Sequence, residues 1–459
     1  MSKAIFIYRR DLRVLDNTSL LDASRNHDVV LPIFIFTKEQ LIDNPFKSDN
    51  CVQFMMSCLE LLNKDLKKLG SRLFYFFGNP VDVLDQLLDE FDYSAVYVNE
   101  DYTPYSIERD SKIEKFCKKN KIDFCSNEDV LLNPIGSIRT NNDKLFNKFG
   151  KYYEKASKIK VREPDESKIK NFISGKTKFK SEFKEDIHQF YEPNPHIHSL
   201  ADPTILDGIV EEFDTYNRDR DTLSYETTHL SAYIKFGQVS IRQVHREFSK
   251  LNKNSSVLMQ QLYWRDLFYN IGYEYGHVFT TYGNAREKFD KFEWPNDDSY
   301  FMSFANGCTG YPIIDSSIKQ LLTTSYMHNR GRLLVANFLI KVLHNDWKRG
   351  ERFFAQNLID YDPCVNSGNW GWMLSGIIQQ SIYIVFNPSE QSKKHDPDCI
   401  YIKKWIPQLK DVPSKHIHNW QENWHKYANI IDYPRPIVDF KVQKEKWKKM
   451  YAKFFAENK

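Results

Sequence analysis

Short, continuous apolar runs alternate with stretches of helical spacing in the first third of the chain. The four runs are residues 4–8, 29–36, 72–77 and 95–100. Runs of this kind are typical of strands that are buried on both faces of a parallel sheet. Between the second and third runs, residues 51–70 place apolar residues at helical spacing and end in Gly70, a common helix stop. The pattern therefore predicts an α/β domain with a Rossmann-like parallel sheet over residues 1–130.

The rest of the chain divides into a polar stretch and a helical region. Residues 131–210 are rich in Lys, Glu and Ser and lack a long apolar run. This composition favours a surface connector over the alternative of a basic arm that binds nucleic acid. Residues 211–459 carry helical patterns throughout, most clearly at 256–273, 313–347 and 441–458. We therefore expect a second, larger, all-α domain over residues 211–459.

Composition indicates the number of domains and the cellular compartment of the protein, but it does not indicate the function. A chain of 459 residues is too long for one typical core, which agrees with two domains. No stretch approaches the roughly 20 apolar residues that a membrane span requires, so we expect no membrane partner. The seven cysteines are odd in number and include no Cys-x-x-Cys pair, which indicates a reducing, intracellular setting. The net charge of +3 does not by itself indicate a nucleic-acid partner.

Hydroxyl residues cluster at the start of a predicted helix. Thr227, Thr228 and Ser231 directly precede or open an apolar helical pattern. Hydroxyls in this position cap a helix, and they equally suit a bound phosphate. The segment alone leaves both interpretations open.

An asparagine, an arginine and two aspartates form a second candidate group. Asn329 and Arg332 are three residues apart and so share a helical face. A buried arginine needs a partner, and Asp360 and Asp362 are the natural candidates. Such a pair is either structural or, beside Asn366, a way to hold a polar heterocycle and stabilise its anionic form.

Two tryptophans, Trp370 and Trp372, are separated by a single glycine. Residues two apart on a helix do not share a face, so the segment is either an irregular turn or places its indoles against different neighbours.

Metal and hydrolase chemistries find no support in the sequence. The 13 histidines show no His-x-x-x-His spacing for a metal. The chain also lacks a Gly-rich phosphate loop and a Gly-x-Ser-x-Gly motif.

Seven segments, taken together and in order, resemble the photolyase/cryptochrome family of blue-light flavoproteins. They are RRDLRVLDN (9–17), TTHLSAYIKFG (227–237), QLYWRD (261–266), CTGYPIIDSSIKQL (308–321), MHNRGR (327–332), DYDP (360–363) and NSGNWGW (366–372). The resemblance covers nearly the whole chain and is closest to the class I cyclobutane pyrimidine dimer photolyases. It implies a light-driven lyase in which an electron passes from reduced FAD to a dimer flipped out of damaged DNA and then returns.

The resemblance also implies the contacts of a U-shaped FAD in the helical domain. The matching positions are Tyr216, Thr227, Thr228, Leu230, Ser231, Arg265, Arg332, Asp360, Asp362 and Asn366. The first five match contacts on the phosphate side, and Arg332, paired with Asp360, matches groups around the flavin ring together with Asp362. Asn366 matches the residue that faces the flavin N5 and supports the fully reduced, anionic flavin.

The two tryptophans of the NWGW segment acquire separate roles from the resemblance. Trp370 matches the first member of a tryptophan electron chain whose next members match Trp347 and Trp294. Trp372 matches an aromatic wall of the lesion pocket, with Trp264 opposite. The full set of matching substrate positions is Gln261, Trp264, Asn329, Arg330, Leu333 and Trp372, and Lys393 and Lys394 are candidates for the DNA-binding rim. The resemblance implies that a monomer acts on damaged DNA.

Two pocket positions depart from the class I pattern. Gln261 stands where Glu is usual and Leu333 where Met is usual, which implies slower repair or a different substrate. Asn329 and Leu333 also stand where (6-4) photolyases carry two histidines, which argues against (6-4) repair. The alternative is a cryptochrome, either a DASH-type enzyme for single-stranded DNA or a photoreceptor, although DASH proteins usually carry Tyr where Trp372 stands.

A second, light-harvesting chromophore is a further expectation from the resemblance. Residues 99–110 lie where the α/β domain of the family holds it. Folate-binding members carry an Asn–Glu pair where this chain has Tyr105 and Ser106. Folate and deazaflavin are therefore candidates, and another flavin or no second chromophore stay open.

Overall fold

The four predicted apolar runs are strands, and a fifth strand follows them. The computed structural model describes residues 1–198, 202, 204–276, 291–374 and 383–457. Its strands are β1 (Lys3–Tyr8), β2 (Val29–Phe36), β3 (Phe74–Phe77), β4 (Ala95–Asn99) and β5 (Asp123–Asn127). They form one sheet in the order β3-β2-β1-β4-β5, in which all neighbours are parallel. The predicted α/β fold is therefore confirmed.

Helices account for most of the other elements in the described residues. In chain order they are α1 (Thr18–Asn26), α2 (Lys38–Leu41), α3 (Asp49–Lys68), α4 (Pro80–Phe91), α5 (Pro104–Lys119), α6 (Phe149–Ala156), α7 (Pro195–His198), α8 (Ile209–Glu212), α9 (Tyr216–Asp219), α10 (Leu230–Phe236), α11 (Ile241–Phe248), α12 (Ser256–Glu274), α13 (Asp298–Ala305), α14 (Pro312–Thr324), α15 (Asn329–Lys341), α16 (Trp347–Asn357), α17 (Pro363–Met373), α18 (Pro388–His395), α19 (Ile400–Trp405), α20 (Ser414–His418), α21 (Trp420–Asn423) and α22 (Phe440–Glu457). The larger helical region is thus confirmed. Within the described ranges, no helix is long and apolar enough to cross a membrane.

The helical pattern at 313–347 is interrupted twice, because the structure divides it into α14, α15 and the start of α16. Ser325 adopts a left-handed conformation with φ of +55°, which ends α14. The side chain of His328 then accepts the backbone N–H of Arg330 and caps α15. Apolar spacing continues across this break, so periodicity alone cannot locate it. The last residue of the helix predicted at 441–458 lies outside the described residues.

The sheet carries an apolar core on both faces and polar helix caps at one edge. All five residues of β4 are buried, and side chains from α4 and α5 pack on the strands. Asn17, Asn79 and Thr103 each accept a backbone N–H at the start of the helix that follows β1, β3 or β4. These caps fix the loops at the carboxyl edge of the sheet, where open α/β folds bind ligands.

Residues 131–210 do not keep to the surface path that their polar composition predicts. Phe172 forms a parallel bridge with Val30, and the N–H of Ile173 donates to the Val30 carbonyl at 2.9 Å. Phe179 is buried in the same core as the strands. The packing rests on a few apolar residues that are spaced irregularly among lysines and glutamates, a pattern without a helix or strand period.

The described chain forms two compact units. The first contains Met1–Asp214, His229–Gly276 and Ile359–Cys364, and so holds the whole sheet. The second contains the described residues of Thr215–Thr228, His277–Leu358 and Val365–Lys459. The domain boundaries near residues 130 and 210 stay a prediction.

Two arginines and two aspartates form a buried charge cluster in the first unit. Arg242 Nε lies 2.7 Å from Asp16 Oδ2, and its Nη2 lies 2.7 Å from Asp129 Oδ1. Arg13 Nη2 lies 2.5 Å from Asp129 Oδ2. Burial alone would raise the pKa of Asp129, but the charges of Arg13 and Arg242 outweigh it and hold that pKa well below its usual range. The cluster joins the loop after β1 and the residues after β5 to α11.

Candidate functional site

Trp370 and Trp372 lie on opposite sides of one helix, α17. Two residues two positions apart on an α-helix are separated by about 200°. Trp370 is 2% exposed, and its ring meets that of Phe354 edge to face at 5.0 Å. Trp372 is only partly buried. The segment is therefore a helix and not an irregular turn, and its two indoles have different surroundings.

Helix α16 provides the surface on which Trp370 packs. A Cβ added at Gly350 would overlap the Trp370 ring and the Leu339 side chain, so this close approach requires glycine. Trp347, the first residue of α16, is also 2% exposed. Two of the three tryptophans predicted for the electron chain thus belong to contacting helices. The third, Trp294, is partly buried in the second unit.

Asn366 lies one turn before Trp370 and therefore on the same side of α17. Its Nδ2 donates to Glu351 Oε1 at 3.0 Å and to the Glu351 carbonyl at 3.1 Å. The Ser367 hydroxyl donates to the same carboxylate oxygen at 3.1 Å. Because Glu351 is buried and binds the amide nitrogen, Asn366 presents its amide oxygen as a hydrogen-bond acceptor.

Asp362 lies in a cluster of charged groups in the first unit. It forms a short ion pair with Arg10, and the Tyr269 hydroxyl donates to the same carboxylate oxygen at 2.5 Å. Arg10 also pairs with Asp101 at 3.4 Å. The guanidinium of Arg265 lies over the Tyr269 ring at 4.6 Å from its centroid. The structure therefore links two predicted cofactor residues, Asp362 and Arg265, through Tyr269.

Two more predicted cofactor residues meet in the first unit. The Ser231 hydroxyl donates to Asp360 Oδ2 at 2.7 Å. Ser231 belongs to α10, whose N-cap residue His229 makes no side-chain capping bond. Ser231 is therefore engaged by a carboxylate, and the choice between a cap and a bound phosphate for Thr227 and Thr228 stays open. Leu230, the first residue of α10, is buried.

A cavity of about 160 Å³ lies beside Thr227 in the second unit. The Thr227 and Tyr326 hydroxyls are 2.6 Å apart on its lining. His328 Nδ1 accepts the backbone N–H of Arg330, so the neutral ring carries its proton on Nε2, a buried donor without a partner among the described residues. Burial lowers the pKa of His328 to about 4, which keeps the ring neutral. Trp405 Nε1, also on the lining, is a second buried donor without a partner in the described chain. Such donors fit an acceptor-rich group, such as the phosphates of FAD.

Arg332 and Tyr216 are placed within the second unit. Arg332 Nε donates to the Met327 carbonyl at 2.9 Å, and its guanidinium lies 5.4 Å from the Tyr326 ring centroid. Tyr216 opens α9 and is buried, which raises the pKa of its hydroxyl to about 12. The predicted pairing of Arg332 with Asp360 stays a prediction.

The predicted substrate residues of α15 occupy its first turns. Asn329 is exposed and Leu333 is partly buried. Arg330 Nη2 pairs with Asp221 Oδ1 at 2.7 Å, with the carboxylate partly open to solvent. These three residues thus provide an amide, an apolar side chain and a cation close together on one helix end.

Trp264 and Gln261 share helix α12 of the first unit. Phe149 stacks on the Trp264 indole with ring centroids 3.9 Å apart and an interplanar angle of 6°. Gln261 Nε2 donates to the Val257 carbonyl at 3.1 Å, one turn earlier in the helix. Phe149 belongs to α6, in the segment predicted as a connector, and covers one face of a predicted lesion-pocket residue.

Two family models match separate parts of the chain. The model for DNA photolyase matches residues 4–168, and the model for the FAD binding domain of DNA photolyase matches residues 257–453. A deoxyribodipyrimidine photo-lyase from Halobacterium salinarum is 30% identical, over 96% of this chain and 97% of that protein. This chain belongs to the DNA photolyase family. The predicted resemblance is confirmed, and so is FAD as the cofactor.

Solved photolyase structures share the fold of this family member. An archaeal photolyase from Sulfolobus tokodaii with two FAD molecules is 38% identical and has a TM-score of 0.84, over 98% of this chain and 100% of that chain. A class III photolyase from Agrobacterium tumefaciens is 26% identical and has a TM-score of 0.90, over 99% of this chain and 98% of that chain.

Sequence reasoning missed four residues that support the site in this photolyase. They are Arg10, Tyr269, Gly350 and Glu351. Arg10 lies in the RRDLR segment, and its position beside a second arginine directly after a strand could have identified it as a site residue. The other three carry no distinguishing spacing, because their partners lie on other elements.

Proposed function

We propose that this chain is a deoxyribodipyrimidine photo-lyase that splits cyclobutane pyrimidine dimers in DNA under light. The observation that carries the proposal is the arrangement of helix α17. Asn366 and Trp370 share its buried face, where Glu351 and Gly350 fix them, and Trp372 lies on the other side. One helix thus presents an acceptor, an electron donor and a stacking surface on two sides.

When bound, reduced FAD would supply light-driven electron transfer to the dimer, and the residues of this chain would hold and orient it. Asn366 is proposed to accept the flavin N5–H through its oxygen, because Glu351 holds its nitrogen. Arg265, Arg332, Asp360 and Asp362 are proposed around the ring. Tyr216, Thr227, Thr228, Leu230 and Ser231 are proposed on the phosphate side, where the donors beside Thr227 support this role.

The dimer is proposed to stack on Trp264 and Trp372 once it has left the duplex. Photolyases are among the enzymes that extrude their target nucleotide, at a cost of roughly a few kcal/mol that is smaller for damaged bases. Stacking on an aromatic ring offsets about 1–3 kcal/mol per base. Gln261, Asn329 and Leu333 are proposed to contact the dimer edge.

Cations around the pocket are proposed to bind the DNA backbone. Arg330 is proposed to bind a phosphate inside the pocket, and Lys393 and Lys394 on α18 are proposed to bind phosphates at its rim. Among the described residues, Lys393 pairs with Glu390 on its own helix, at 2.9 Å, and both side chains are solvent-exposed, so a phosphate can replace that partner. We also propose an intracellular location, which the seven free thiols support. A monomeric state stays a prediction.

Replacing Glu351 by leucine is expected to destabilise the fully reduced flavin. The substitution removes the carboxylate that binds the Asn366 amide nitrogen, so the amide is released to rotate its oxygen away from N5. The measurement is the fraction of flavin that reaches the fully reduced state under continuous light with a thiol present. Glu351→Gln, which keeps an acceptor oxygen, is the matched control and is expected to retain most of that fraction. Equal behaviour of the two variants would contradict the role given to Glu351.

A second chromophore is proposed for the first unit, at the carboxyl ends of β1 and β4, where the strand order reverses. Arg9 and Arg109 both pair with Asp110 there, at 2.8 and 2.9 Å. Arg109 Nη2 is buried and has no partner in the described chain. A surplus cation with an unused donor fits an anionic ligand, and the two FAD molecules of the Sulfolobus tokodaii photolyase favour a second flavin over folate or deazaflavin.

The purified protein is therefore expected to release two flavins per chain on denaturation. Arg109→Leu is expected to lower the ratio to one, because the surplus cation is lost, while the dimer-splitting flavin stays bound. The measurement is flavin absorbance against protein mass. A ratio of one in protein saturated with added FAD would contradict a flavin at this place.

The proposed function is tested with an oligonucleotide that carries one defined thymine dimer. Chemically reduced, FAD-loaded protein is expected to restore intact thymines in blue light and to leave the dimer unchanged in darkness. Parallel duplex and single-stranded substrates show which form is repaired. No repair of either substrate by protein with full flavin content would overturn the proposal.

A further inference from the structure

Trp294, the last predicted member of the electron chain, has a further tryptophan as a ring neighbour. The Trp294 ring stacks on that of Trp447 with centroids 6.2 Å apart and an interplanar angle of 22°. Trp447 belongs to α22, far along the chain from the NWGW segment, and is 0% exposed. Trp294 itself is partly open to solvent. A more deeply buried indole thus stacks on the last predicted member of the electron chain.

We infer that Trp447 is a fourth member of the electron chain and receives the positive charge from Trp294. The inference rests on the proposed function, because Trp294 is itself proposed as the third member. In the added step, Trp447 gives one electron to the Trp294 radical cation. Trp294 returns to its closed-shell form, the unpaired electron and positive charge move to Trp447, and no covalent bond changes.

The ring neighbour His344 adds no charge beside Trp447. The His344 ring lies parallel to it, at 6.3 Å between centroids and 12° between planes. Burial lowers the pKa of His344 to about 4, so this neighbour is neutral at physiological pH and does not repel a cation. The His344 Nε2 lies 3.1 Å from the Gln443 carbonyl, one turn before Trp447 in α22, which fixes the ring.

Ring contacts continue from Trp447 to the surface. The ring centroid of Tyr451 lies 5.7 Å from that of Trp447, and the ring centroid of Tyr383 lies 5.8 Å from that of Tyr451. Tyr383 is 57% exposed. Electron transfer between aromatic rings slows steeply with distance, so this short path favours refilling of Trp447 by a reductant in solution, such as a thiol.

The test follows the tryptophan radical by transient absorption after a light flash on protein loaded with oxidised FAD. Trp447→Phe is expected to shorten the radical lifetime about tenfold, since the charge stays closer to the flavin. A tenfold change in this rate corresponds to about 1.4 kcal/mol in its activation free energy. Trp420→Phe is the matched control, because Trp420 is equally buried in the same unit and its ring contacts are Tyr427 and Tyr433. Its lifetime is expected to equal that of the unmodified protein.

Trp447→Met is the second variant, used if the phenylalanine variant does not fold, because methionine adapts to irregular gaps in a core. Lifetimes in the Trp447 variants equal to that of Trp420→Phe, together with a shortened lifetime in Trp294→Phe, would end the chain at Trp294 and overturn the inference. An unchanged radical in Trp294→Phe would instead overturn the proposed chain as a whole. Dimer repair by chemically reduced protein, measured on the same samples, separates both results from failure of the proposed lyase.

Discussion

Replacing Trp372 by alanine is expected to lower the affinity for dimer-containing DNA by roughly five- to 150-fold, the equivalent of about 1–3 kcal/mol. The reason is the loss of one stacking surface for the flipped dimer. The rate at which light reduces the bound FAD is expected to stay unchanged, because Trp372 lies on the opposite side of α17 from Trp370. Affinity is measured by competition between damaged and undamaged oligonucleotides.

Trp370→Phe is the matched partner of this experiment and is expected to give the reverse pattern. The variant keeps a ring against Phe354 and Gly350 but removes the readily oxidised indole. Light-driven reduction of FAD is therefore expected to slow, while the affinity for damaged DNA stays within twofold or so of the original. Loss of both properties in either variant would contradict the division of roles between the two indoles.

Replacing Arg242 by methionine is expected to lower the free energy of unfolding by about 3–5 kcal/mol. Methionine keeps most of the side-chain length, but Asp16 and Asp129 lose the buried guanidinium that binds both carboxylates. The measurement is urea unfolding, followed by circular dichroism. Arg246→Met is the control on the same helix, since Arg246 forms a solvent-exposed pair with Glu166; the expected loss is below about 1 kcal/mol. A similar loss in both variants would contradict the role of the buried cluster.

The same cluster sets the acid sensitivity of the fold. Burial opposes ionisation of Asp129, yet Arg13 and Arg242 hold its folded pKa below the unfolded value of about 3.9. A depressed pKa contributes stability that is present at neutral pH and is lost as the pH falls below about 4 toward the folded pKa. Arg242→Met is expected to reduce this acid-dependent loss, because one of the two cations is gone.

The elements of the first unit were predictable because local physics specifies them. Each of the four apolar runs became a strand, since continuous burial on two faces leaves a contiguous signal in the sequence. For Trp370 and Trp372 of the second unit, the sequence left an irregular turn and different neighbours both open, and the helix α17 decides between them. The break at Ser325 was not predictable, because a left-handed residue interrupts the backbone without interrupting the apolar period.

The support of the site was not predictable from spacing, because its contacts join distant positions. Arg10 and Asp362 are 352 residues apart in the chain, and the Phe149 ring reaches Trp264 from a segment of polar composition. Glu351 binds Asn366 from a neighbouring helix. Asn366 and Trp264 belong to recognisable motifs, whereas their partners Glu351 and Phe149 are ordinary residues selected by three-dimensional packing.

The most direct test of the central claim counts repaired dimers against reduced flavin. Chemically reduced protein is illuminated without oxygen and without further reductant, in the presence of excess thymine-dimer oligonucleotide. If the electron returns after each splitting event, many dimers are restored per flavin, and the flavin spectrum stays that of the reduced form. One dimer or fewer per flavin, with oxidation of the flavin in step, or repair that proceeds equally in darkness, would contradict light-driven dimer splitting by a returning electron.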